Sequence, residues 1–444
     1  MVQLILQEMM VQKMKFCFET LGCKVNLFES QALAQLAQER GHTLVDRDAD
    51  AVVLNTCAVT SVSEHKNLRA IHRLRRDNPN AVLAAVGCFA QSSPKRLSET
   101  GEIDLICGTG DRAAVIEACE QAVHQRGHCR RIESAPSSIF ELLRAGVPAG
   151  RTRALLKVQD GCDNYCTYCI IPYLRGHVRS IPLAAARSEA RRLAESGVHE
   201  IVVTGIEIAS YGTDLPEKPT LTDLIEPLLL DNPTVRFRLG SLEPRIVDRA
   251  FCERLKIYPN LAPHFHLSLQ SGCDSVLKRM HRRYDTALFQ KKLILLREHF
   301  PDCSLTTDLI VGFPGETEDE FQHTLNFLET CSFTAVHVFP YSIREGTIAA
   351  QMPNQLPAQL KQARAERTKE IASACGVRCR ERFLGRTATV LIEHPADGGL
   401  WSGHTGWSFP IYVPLPGANQ KNTLCNVKLT ALHRDGLLGE PLRE

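Results

Sequence analysis

Six short apolar runs, several of them rich in β-branched residues, follow one another between residues 155 and 339, with helical patterns between them. Such alternation favours a parallel sheet, because a helical crossover is the usual connection between parallel strands. Six successive units allow the sheet to curl, so we expect a partial, TIM-like (β/α)6 barrel. The runs are Leu155–Val158, Glu200–Thr204, Val235–Leu239, His264–Leu269, Ser304–Val311 and Ala335–Phe339.

The composition of the remaining sequence predicts further domains of an α/β protein. Residues 14–130 alternate β-rich and helical stretches, which indicates a small parallel α/β domain. Residues 131–150 carry the Ser, Pro and Gly typical of a linker, and the predicted barrel fills 151–353. Residues 354–386 have helical composition with eight Lys or Arg against three Glu, which predicts a basic connector. Residues 387–444 contain short β-like runs between Gly and Pro, which predicts a small β-barrel.

The chain lacks the sequence signals of a membrane or exported protein. No run of eighteen apolar residues occurs, and the first fourteen residues have no signal-peptide pattern. The 17 cysteines therefore fit a reducing, cytoplasmic location, where closely spaced thiols more often bind metal than form disulfides. The net charge of +2 excludes nucleic-acid binding by bulk charge alone, but it leaves room for local basic patches.

Three cysteines lie close together directly after the first predicted barrel strand. Cys162, Cys166 and Cys169, called the compact trio below, are spaced to bind one face of a metal cluster and to leave one metal position open. Their loop belongs to the C-terminal rim, where barrel enzymes build active sites. The alternative is a zinc knuckle without its fourth ligand; His177 is the nearest candidate, and it does not have zinc-finger spacing.

Further polar and glycine residues follow the other strands at the same predicted rim. Taken singly, each is explained equally well by ordinary loop chemistry, and only their common position favours a cofactor site. Asp308, inside the fifth strand, is a buried acid candidate for which a structural hydrogen bond is the favoured role. The candidate cofactor-binding residues are Gly205, Glu207, Ser241, Gln270, Asp308 and Gly312.

A second set of cysteines is spread over the N-terminal domain. Cys23, Cys57 and Cys88, called the dispersed trio below, each come just after a predicted strand. Because the carboxyl ends of parallel strands meet at one sheet edge, these thiols could hold a second cluster. Inert buried cysteines are the alternative, and we interpret the other eleven cysteines as small core residues.

The spacing of the compact trio is that of radical S-adenosylmethionine enzymes. With the contexts of the dispersed trio and the small β domain, residues 15–440 resemble the methylthiotransferases of that group. The segment Thr20-Leu21-Gly22-Cys23-Lys24-Val25-Asn26 is most similar to the branch that acts on threonylcarbamoyl-adenosine in tRNA. Related branches act on isopentenyl-adenosine in tRNA or on an aspartate of a ribosomal protein.

The resemblance implies two [4Fe-4S] clusters and S-adenosylmethionine. The compact trio would hold the radical cluster and the dispersed trio an auxiliary cluster that carries the sulfur, which makes the compact trio and Cys57 the predicted catalytic residues. The reaction would place a methylthio group on C2 of N6-threonylcarbamoyladenosine next to the anticodon. Its implied partners are the anticodon stem-loop of tRNA, a reducing electron donor protein and a sulfur donor. Methylthiolation of a ribosomal protein is an alternative, and a non-catalytic metal-containing RNA-binding protein is a further one.

Several basic patches are candidates for RNA contact, with solvated helix faces as the alternative. Residues 387–444 hold only four Lys or Arg against five Asp or Glu, so we expect the basic connector to do more of the electrostatic work. In that β domain, Trp401, Trp407, Phe409 and Tyr412 are suited either to stack on bases or to form a small core. The patches are Lys66, Arg69, Arg73, Arg75 and Arg76; Arg175, His177 and Arg179; and Lys278, Arg279, Arg282 and Arg283.

Overall fold

The structure, a computed structural model, describes residues 13–123, 130–132, 136–146 and 151–442. The predicted linker falls partly outside these described residues, at 133–135 and 147–150. The chain folds into two compact units. The N-terminal unit comprises Met1–Pro148, Gln159–Asn164 and Cys169–Ile181, and the barrel unit comprises Ala149–Val158, Tyr165–Tyr168 and Pro182–Glu444.

The N-terminal unit is built on a parallel sheet of six strands in the order β2-β1-β3-β4-β5-β6. Every residue of β3 and β4 is buried, because helices cover both faces of the sheet. Val52 and Leu54 pack into one apolar cluster, whereas Val53 packs into the other. The strands are β1 Lys15–Thr20, β2 Thr43–Leu44, β3 Ala51–Thr56, β4 Val82–Gly87, β5 Leu105–Cys107 and β6 Arg130–Ile132.

The described residues of this unit also form six helices. They are α1 Lys24–Glu39, α2 Ser61–Asp77, α3 Cys88–Ser92, α4 Pro94–Ser98, α5 Ala113–Ala122 and α6 Ile171–Arg175. A short antiparallel pair, Gln159–Asp160 with Arg179–Ser180, brackets the segment that contains α6. The parallel α/β architecture predicted for this part of the chain is confirmed.

The barrel unit contains the predicted parallel strands in sequence order. They form two sheets, β7-β8-β9 and β10-β11-β12-β13, with all neighbours parallel. The third run corresponds to β9, which pairs with β8; after Gly240 the chain adds a short strand, β10, which pairs with β11. The partial barrel expected from the six runs is confirmed. The strands are β7 Arg153–Lys157, β8 Glu200–Thr204, β9 Arg236–Leu239, β10 Ser241–Leu242, β11 His264–Leu267, β12 Ser304–Val311 and β13 Ala335–Pro340.

Crossover helices follow these strands as the alternating pattern predicts. The helix that begins at Glu318 has a capping box, in which Thr317 and Glu320 satisfy each other's backbone N–H groups. The predicted basic connector is a helix of 24 residues. The helices are α7 Leu183–Glu195, α8 Leu221–Asp231, α9 Arg249–Leu255, α10 Asp274–Arg279, α11 Thr286–His299, α12 Glu318–Cys331, α13 Ile348–Gln351 and α14 Ala358–Glu381.

The C-terminal part of the barrel unit is a closed five-stranded β-barrel in the order β14-β15-β16-β18-β17. Its four candidate stacking aromatics are all buried, and Trp401, Trp407 and Phe409 lie in the apolar cluster inside the barrel. The core role is therefore the correct alternative for these three, because side chains that fill a core present no face to a base. Tyr412 lies outside that cluster, and its hydroxyl donates to Asp435 at 2.7 Å. The strands are β14 Thr387–Ala396, β15 Leu400–His404, β16 Pro410–Pro414, β17 Leu424–His433 and β18 Gly436–Pro441.

Buried ion pairs attach this small barrel to the strands of the larger one. Glu200, fully buried, pairs with Arg236 and Arg238 at 2.6 and 2.7 Å. Both arginines also donate to small-barrel carbonyls, Arg236 to that of His404 and Arg238 to that of Thr405. Because breaking such a network would leave charges buried without partners, these contacts fix the small barrel in place. Among the described residues, no helix combines the length and hydropathy needed to cross a membrane.

Candidate active site

The dispersed trio lies at one edge of the N-terminal sheet. Cys23 is the N-cap of α1 just beyond β1, Cys57 directly follows β3, and Cys88 begins α3 directly after β4. The strands β1, β3 and β4 are neighbours in the sheet, so the carboxyl ends of all three are adjacent. The structure therefore brings together the three thiols that the sequence places after successive strands.

Two glycines allow these loops to approach closely. Gly22 has φ +110°, and a Cβ atom there would lie 2.8 Å from the Cβ of Cys57. Gly87 has φ +92°, and a Cβ atom there would lie 2.3 Å from the Asn55 side-chain oxygen. Side chains at either position would push the cysteine loops apart, and the positive φ angles are also unfavourable for residues other than glycine.

Two asparagines fix the loops by hydrogen bonds. Asn26 Nδ2 donates to the carbonyls of Leu21 and Thr56 at 2.9 and 3.0 Å, which joins the first two cysteine loops. Asn67, in α2, is fully buried and bonds to both backbone groups of Cys57. Its Oδ1 accepts from the Cys57 N–H at 3.2 Å, and its Nδ2 donates to the Cys57 carbonyl at 2.8 Å. The Cys57 backbone is therefore held in one orientation.

Electrostatic effects show that the three thiols influence one another. Burial raises the pKa of Cys88 to about 11; Arg175 opposes this shift, whereas Cys23 and Cys57 add to it. Burial also raises the pKa of Cys57, with Cys23 adding to the shift and Arg175 opposing it. A charge shared among neighbouring thiolates needs a nearby cation or a metal to stabilise it.

Arg175 places a positive charge near the dispersed trio, at the carboxyl edge of the N-terminal sheet. It belongs to α6, is fully buried, and pairs with Glu29 at 2.7 Å and with Asp160 at 3.1 Å. Its Nη2 also donates to Asn26 Oδ1 at 3.0 Å. The expectation that Arg175 and Arg179 form an RNA-binding patch is wrong, because both side chains are buried in ion pairs with Asp160.

Two cysteines of the compact trio, Cys162 and Cys169, belong to the N-terminal unit. Cys162 is buried, and its N–H donates to the Gly176 carbonyl at 3.1 Å. The next residue, Asp163, accepts from the Val178 N–H at 3.2 Å and lies 2.6 Å from His177 Nδ1. His177 is exposed, so of the predicted patch around it only this side chain faces solvent.

Cys166 belongs to the barrel unit and is buried. Arg282 Nη1 donates to its Sγ at 3.2 Å, and the following residue, Thr167, donates to the carbonyls of Met280 and Arg279. Arg279 in turn pairs with Glu320 at 2.7 Å. The predicted RNA contact of Arg282 is wrong, because its guanidinium group is held by Cys166 and Tyr284. Arg279 is 32% exposed, and its RNA contact stays a prediction. Lys278 and Arg283 are exposed.

Glu207 lies just beyond β8, where the sequence places a cofactor contact. Its carboxylate accepts from the Ala209 N–H at 3.3 Å. Burial raises the pKa of Glu207 to about 7; Arg282 opposes this shift, and Glu243 adds to it. Since Arg282 also bonds to Cys166, Glu207 and one thiol of the compact trio share an arginine neighbour. A carboxylate with this pKa changes its charge near neutral pH.

The other candidate rim residues occupy the ends of their strands. Gly205 directly follows β8, and Ser241 begins β10 and is exposed. Gln270 has φ +68°. Its N–H donates to the Asp308 carbonyl at 2.9 Å, which continues the pairing between β11 and β12 beyond the end of β11. The Gly312 N–H donates to Glu316 at 2.7 Å, so this amide already has an acceptor within the protein.

Asp308 differs from the buried acid expected from the sequence. Its side chain is 32% exposed and lies 3.3 Å from His266 Nε2, a nitrogen that has no hydrogen-bond partner among the described residues. The nearest ligand atoms of Asp308, His266 and His337 all lie within 4.8 Å of one another. The expectation is wrong because Asp308 and Ile310 lie on the less buried face of β12, whereas the alternate residues are fully buried.

The first basic patch on α2 is partly used by internal ion pairs. Arg73 pairs with Glu19, and Arg75 pairs with Asp104 and donates to the Ala81 carbonyl. Lys66 and Arg69 are exposed on the same helix. The basic connector is similar in this respect: Arg364, in α14, is buried and pairs with Glu316 at 2.7 Å. Fewer free positive charges are available for phosphate than the sequence indicates.

Both cysteine groups have the donor set that an iron–sulfur cluster needs. All cysteines that the structure describes are free of disulfides. Each group has an arginine with a buried nitrogen that lacks an acceptor within the described part of the chain, Nε of Arg175 near the dispersed trio and Nη2 of Arg282 beside Cys166. Thiolates bind iron, and sulfide or thiolate sulfur accepts hydrogen bonds from such donors.

Sequence comparisons relate the chain to known enzymes. A model of the radical SAM superfamily matches residues 156–328, and a model described as an uncharacterized protein family, UPF0004, matches residues 15–108. The threonylcarbamoyladenosine tRNA methylthiotransferase MtaB of Bacillus subtilis is 38% identical over 79% of this chain and 78% of its own length. The enzyme of the same name from Thermotoga maritima is 37% identical over 87% of this chain and 88% of its own length.

A related enzyme and a solved structure extend the comparison. The tRNA-2-methylthio-N(6)-dimethylallyladenosine synthase of Alkaliphilus oremlandii is 31% identical over 97% of this chain and 93% of its own length. The radical S-adenosylmethionine methyltransferase TsrM from Kitasatospora setae, solved with cobalamin and a [4Fe-4S] cluster, aligns with a TM-score of 0.57 at 14% identity, over 76% of this chain and 77% of that one. This structural similarity supports the fold alone.

Sequence reasoning missed several residues that form the site. Asn26 and Asn67 act through backbone groups of distant loops, and their only sequence signal is proximity to a cysteine or a position on the adjacent helix. Arg175 and Arg282 both fall in predicted basic patches, and the sequence offers a signal only for Arg175, which follows Cys169 by six residues; Arg282 is 116 residues from Cys166. The sequence gives no sign that His266 and His337 belong to a site, because a single histidine in a strand is usually a core residue.

Proposed function

Because this chain belongs to the radical S-adenosylmethionine methylthiotransferase family, we propose that it methylthiolates C2 of N6-threonylcarbamoyladenosine next to the anticodon in tRNA. The observation that carries the proposal is the meeting of Cys23, Cys57 and Cys88 at the ends of three neighbouring strands. An enzyme with only a radical cluster has no need of a second three-thiol site. The relatives named for threonylcarbamoyladenosine, which are 32–38% identical to this chain, support this choice of base.

The six cysteines would bind the two clusters. Cys162, Cys166 and Cys169 would hold a [4Fe-4S] cluster that binds S-adenosylmethionine, and the dispersed trio would hold an auxiliary [4Fe-4S] cluster. When bound, these groups supply a carbon-centred radical for hydrogen removal and a sulfur for insertion. The work of the chain is to orient the groups and exclude water, and the Arg282 contact to Cys166 Sγ at 3.2 Å orients one ligand.

Glu207 is suited to bind the ammonium group of S-adenosylmethionine. Its carboxylate lies on the loop after β8, and its pKa of about 7 leaves it able to become fully charged when a cation binds beside it. Glu243 is a second acid near enough to raise that pKa. Glu243 itself pairs with Arg245 at 2.9 Å, and a cation bound beside Glu207 would favour the charged form of that carboxylate.

The histidine and aspartate group of the barrel strands favours a polar substrate. His266, Asp308 and His337 occupy neighbouring strands and offer hydrogen-bond donors and acceptors, with His337 the most exposed of the three. The threonylcarbamoyl group carries a carboxylate, a hydroxyl and amide groups, whereas a dimethylallyl group offers none. Leaving these side chains unpaired against an apolar group would be costly.

The test is nucleoside mass spectrometry of tRNA from a strain in which the gene is deleted and then restored. We expect 2-methylthio-threonylcarbamoyladenosine to disappear on deletion and to return with the parent gene. Cys57→Ala should fail to restore it, although the purified variant should still cleave S-adenosylmethionine under anaerobic reducing conditions. An unchanged nucleoside profile in the deletion strain would refute the assigned substrate, and restoration by Cys57→Ala would refute the role of the dispersed trio.

A further inference from the structure

The guanidinium group of Arg175 has one donor with no acceptor. Nη1 donates to Glu29 and Asp160, and Nη2 donates to Asn26 and Glu29, so both terminal nitrogens are bonded. Nε has no partner among the residues that the structure describes, although the side chain is only 1% exposed. An unsatisfied donor on a buried charged group is more costly than one on a neutral group. This is the signature of a missing acceptor.

The surroundings of Arg175 identify where that acceptor belongs. Asn26 Oδ1 accepts from Arg175 Nη2 at 3.0 Å and also from Cys23 Sγ at 3.7 Å, so one oxygen connects the arginine to the dispersed trio. The helix α6, which ends at Arg175, packs against α3, which begins at Cys88. Leu174 and Cys88 lie in the same apolar cluster. The arginine is therefore next to two of the three thiols.

Charge interactions agree with this placement. Burial opposes the charge of Arg175, but Cys88, then Glu29 and then Asp160 raise its pKa well above the usual value. Cys88 is thus near enough to Arg175 for a negative charge on its sulfur to stabilise the guanidinium group. Arg112 is a similarly buried arginine that pairs with Glu29 at 2.6 Å, and the charges that chiefly raise its pKa are those of Glu29 and Glu141.

We propose that Arg175 is a positioning residue for the auxiliary cluster, and that its Nε–H donates a hydrogen bond to a sulfur of that cluster and raises its reduction potential. The inference rests on the proposed function for the identity of the cluster. Reduction adds one electron to a group that three thiolates already make negative, without breaking a bond. A hydrogen bond and a buried positive charge stabilise the more negative form, which makes reduction easier.

Arg175 also lies close in sequence to a cysteine of the compact trio. Arg175 follows Cys169 of the compact trio by six residues, and both belong to the N-terminal unit. Displacement of the α6 segment would therefore alter the arginine contact at the dispersed trio. The residue sets the electronic properties of one cluster from a segment that begins at a ligand of the other.

The experiment uses the full chain with Cys162, Cys166 and Cys169 replaced by Ala, so that only the dispersed trio can hold a cluster. In that background, Arg175→Lys keeps the positive charge but removes the Nε–H. The matched control is Arg112→Lys, which changes the same kind of side chain at the same carboxylate. Midpoint potentials are measured by redox titration followed by electron paramagnetic resonance after anaerobic reconstitution.

We expect Arg175→Lys to lower the ratio of reduced to oxidised cluster about tenfold at the parent's midpoint, a shift of about 59 mV for one electron. Arg112→Lys should leave the ratio within about twofold of the parent's, a change that corresponds to less than about 20 mV on the same scale. Equal potentials for parent and Arg175→Lys, or equal shifts in both variants, would overturn the inference while leaving the proposed function intact. Failure of the background protein to bind any cluster would instead refute the two-cluster assignment itself.

A second measurement needs no change at Arg175. The background protein is prepared with ¹⁵N-arginine, and its reduced cluster is studied by pulsed electron paramagnetic resonance. The hydrogen bond predicts a ¹⁵N coupling to the cluster that persists in Arg112→Lys and vanishes in Arg175→Lys. If Arg175→Lys fails to fold, the parent spectrum alone decides: a cluster without arginine nitrogen coupling contradicts the inference.

Discussion

Replacing Asn67 by Ala should remove the auxiliary cluster selectively. Asn67 is fully buried and satisfies both the N–H and the carbonyl of Cys57, at 3.2 and 2.8 Å. The alanine variant leaves two buried backbone groups without partners, at about 1–3 kcal/mol each, or about 2–6 kcal/mol in total. Because the two unpartnered groups destabilise the native loop by this amount, the Cys57 peptide should rotate out of the orientation that lets its thiol bind the cluster.

Asn78 provides a matched control on the same helix. It is buried at the C-cap of α2, where its Oδ1 accepts from the Ala49 N–H at 3.2 Å and its Nδ2 donates to the Leu74 carbonyl at 3.2 Å. Asn78→Ala therefore breaks the same number and type of hydrogen bonds, but its partners are not next to a cysteine. The Leu74 carbonyl still accepts from the Asn78 N–H at 2.9 Å, so we expect Asn78→Ala to lose less free energy of unfolding than Asn67→Ala.

The assay compares iron and labile sulfide after anaerobic reconstitution, together with the urea midpoint of each protein. Asn67→Ala should retain about four of about eight irons, whereas Asn78→Ala should retain nearly all of them. Both should unfold at lower urea concentration than the parent. If Asn67→Ala keeps the parent's iron content, or if Asn78→Ala loses as much iron, the asparagine does not act through Cys57 and the reasoning is refuted.

Two further predictions concern pH. Binding of S-adenosylmethionine to the reconstituted protein should tighten severalfold between pH 6 and pH 8, because Glu207 ionises near pH 7 and then attracts the ammonium group. Calorimetry should show that Glu207→Gln loses this pH dependence. If the affinity of Glu207→Gln changes with pH as the parent's does, the assignment is contradicted. Glu393, in the small barrel, has its pKa lowered to about 2: burial opposes the shift, whereas His404 and Arg153 outweigh it. Its stabilisation, on the order of 3 kcal/mol, should therefore be present at neutral pH and lost between about pH 4.5 and 2. The difference in urea midpoint between parent and Glu393→Gln should shrink over that range, and a constant difference would contradict the assignment.

The convergence of the dispersed trio could be predicted from the sequence because it depends on simple rules. A thiol that follows a parallel strand lies at the carboxyl edge of the sheet, and short right-handed crossovers place successive strands side by side. Strands β1, β3 and β4 follow these rules, so Cys23, Cys57 and Cys88 become neighbours. The barrel strands were predictable for the same reason, since their hydrophobic runs are local.

The burial of Arg175 could not be predicted, because its ion-pair partner Glu29 is remote in sequence. Glu29 is 146 residues away, and a run with Arg175, His177 and Arg179 has the composition of an exposed basic patch. The burial of Asp308 was wrongly predicted for a different reason: its face of the strand is buried at Ser304 and Thr306 but less buried at Asp308 and Ile310, and composition does not indicate where a face of a partial barrel becomes accessible. Burial of charge depends on tertiary contacts that local patterns do not contain.

Mössbauer spectroscopy of three reconstituted proteins tests the two-cluster account most directly. The parent should contain about eight irons in [4Fe-4S] form. Replacing the compact trio by Ala should leave about four, and replacing the dispersed trio by Ala should also leave about four, in a cluster with a different isomer-shift pattern. If the variant without the dispersed trio retains the iron content and spectrum of the parent, Cys23, Cys57 and Cys88 hold no cluster and the account is wrong.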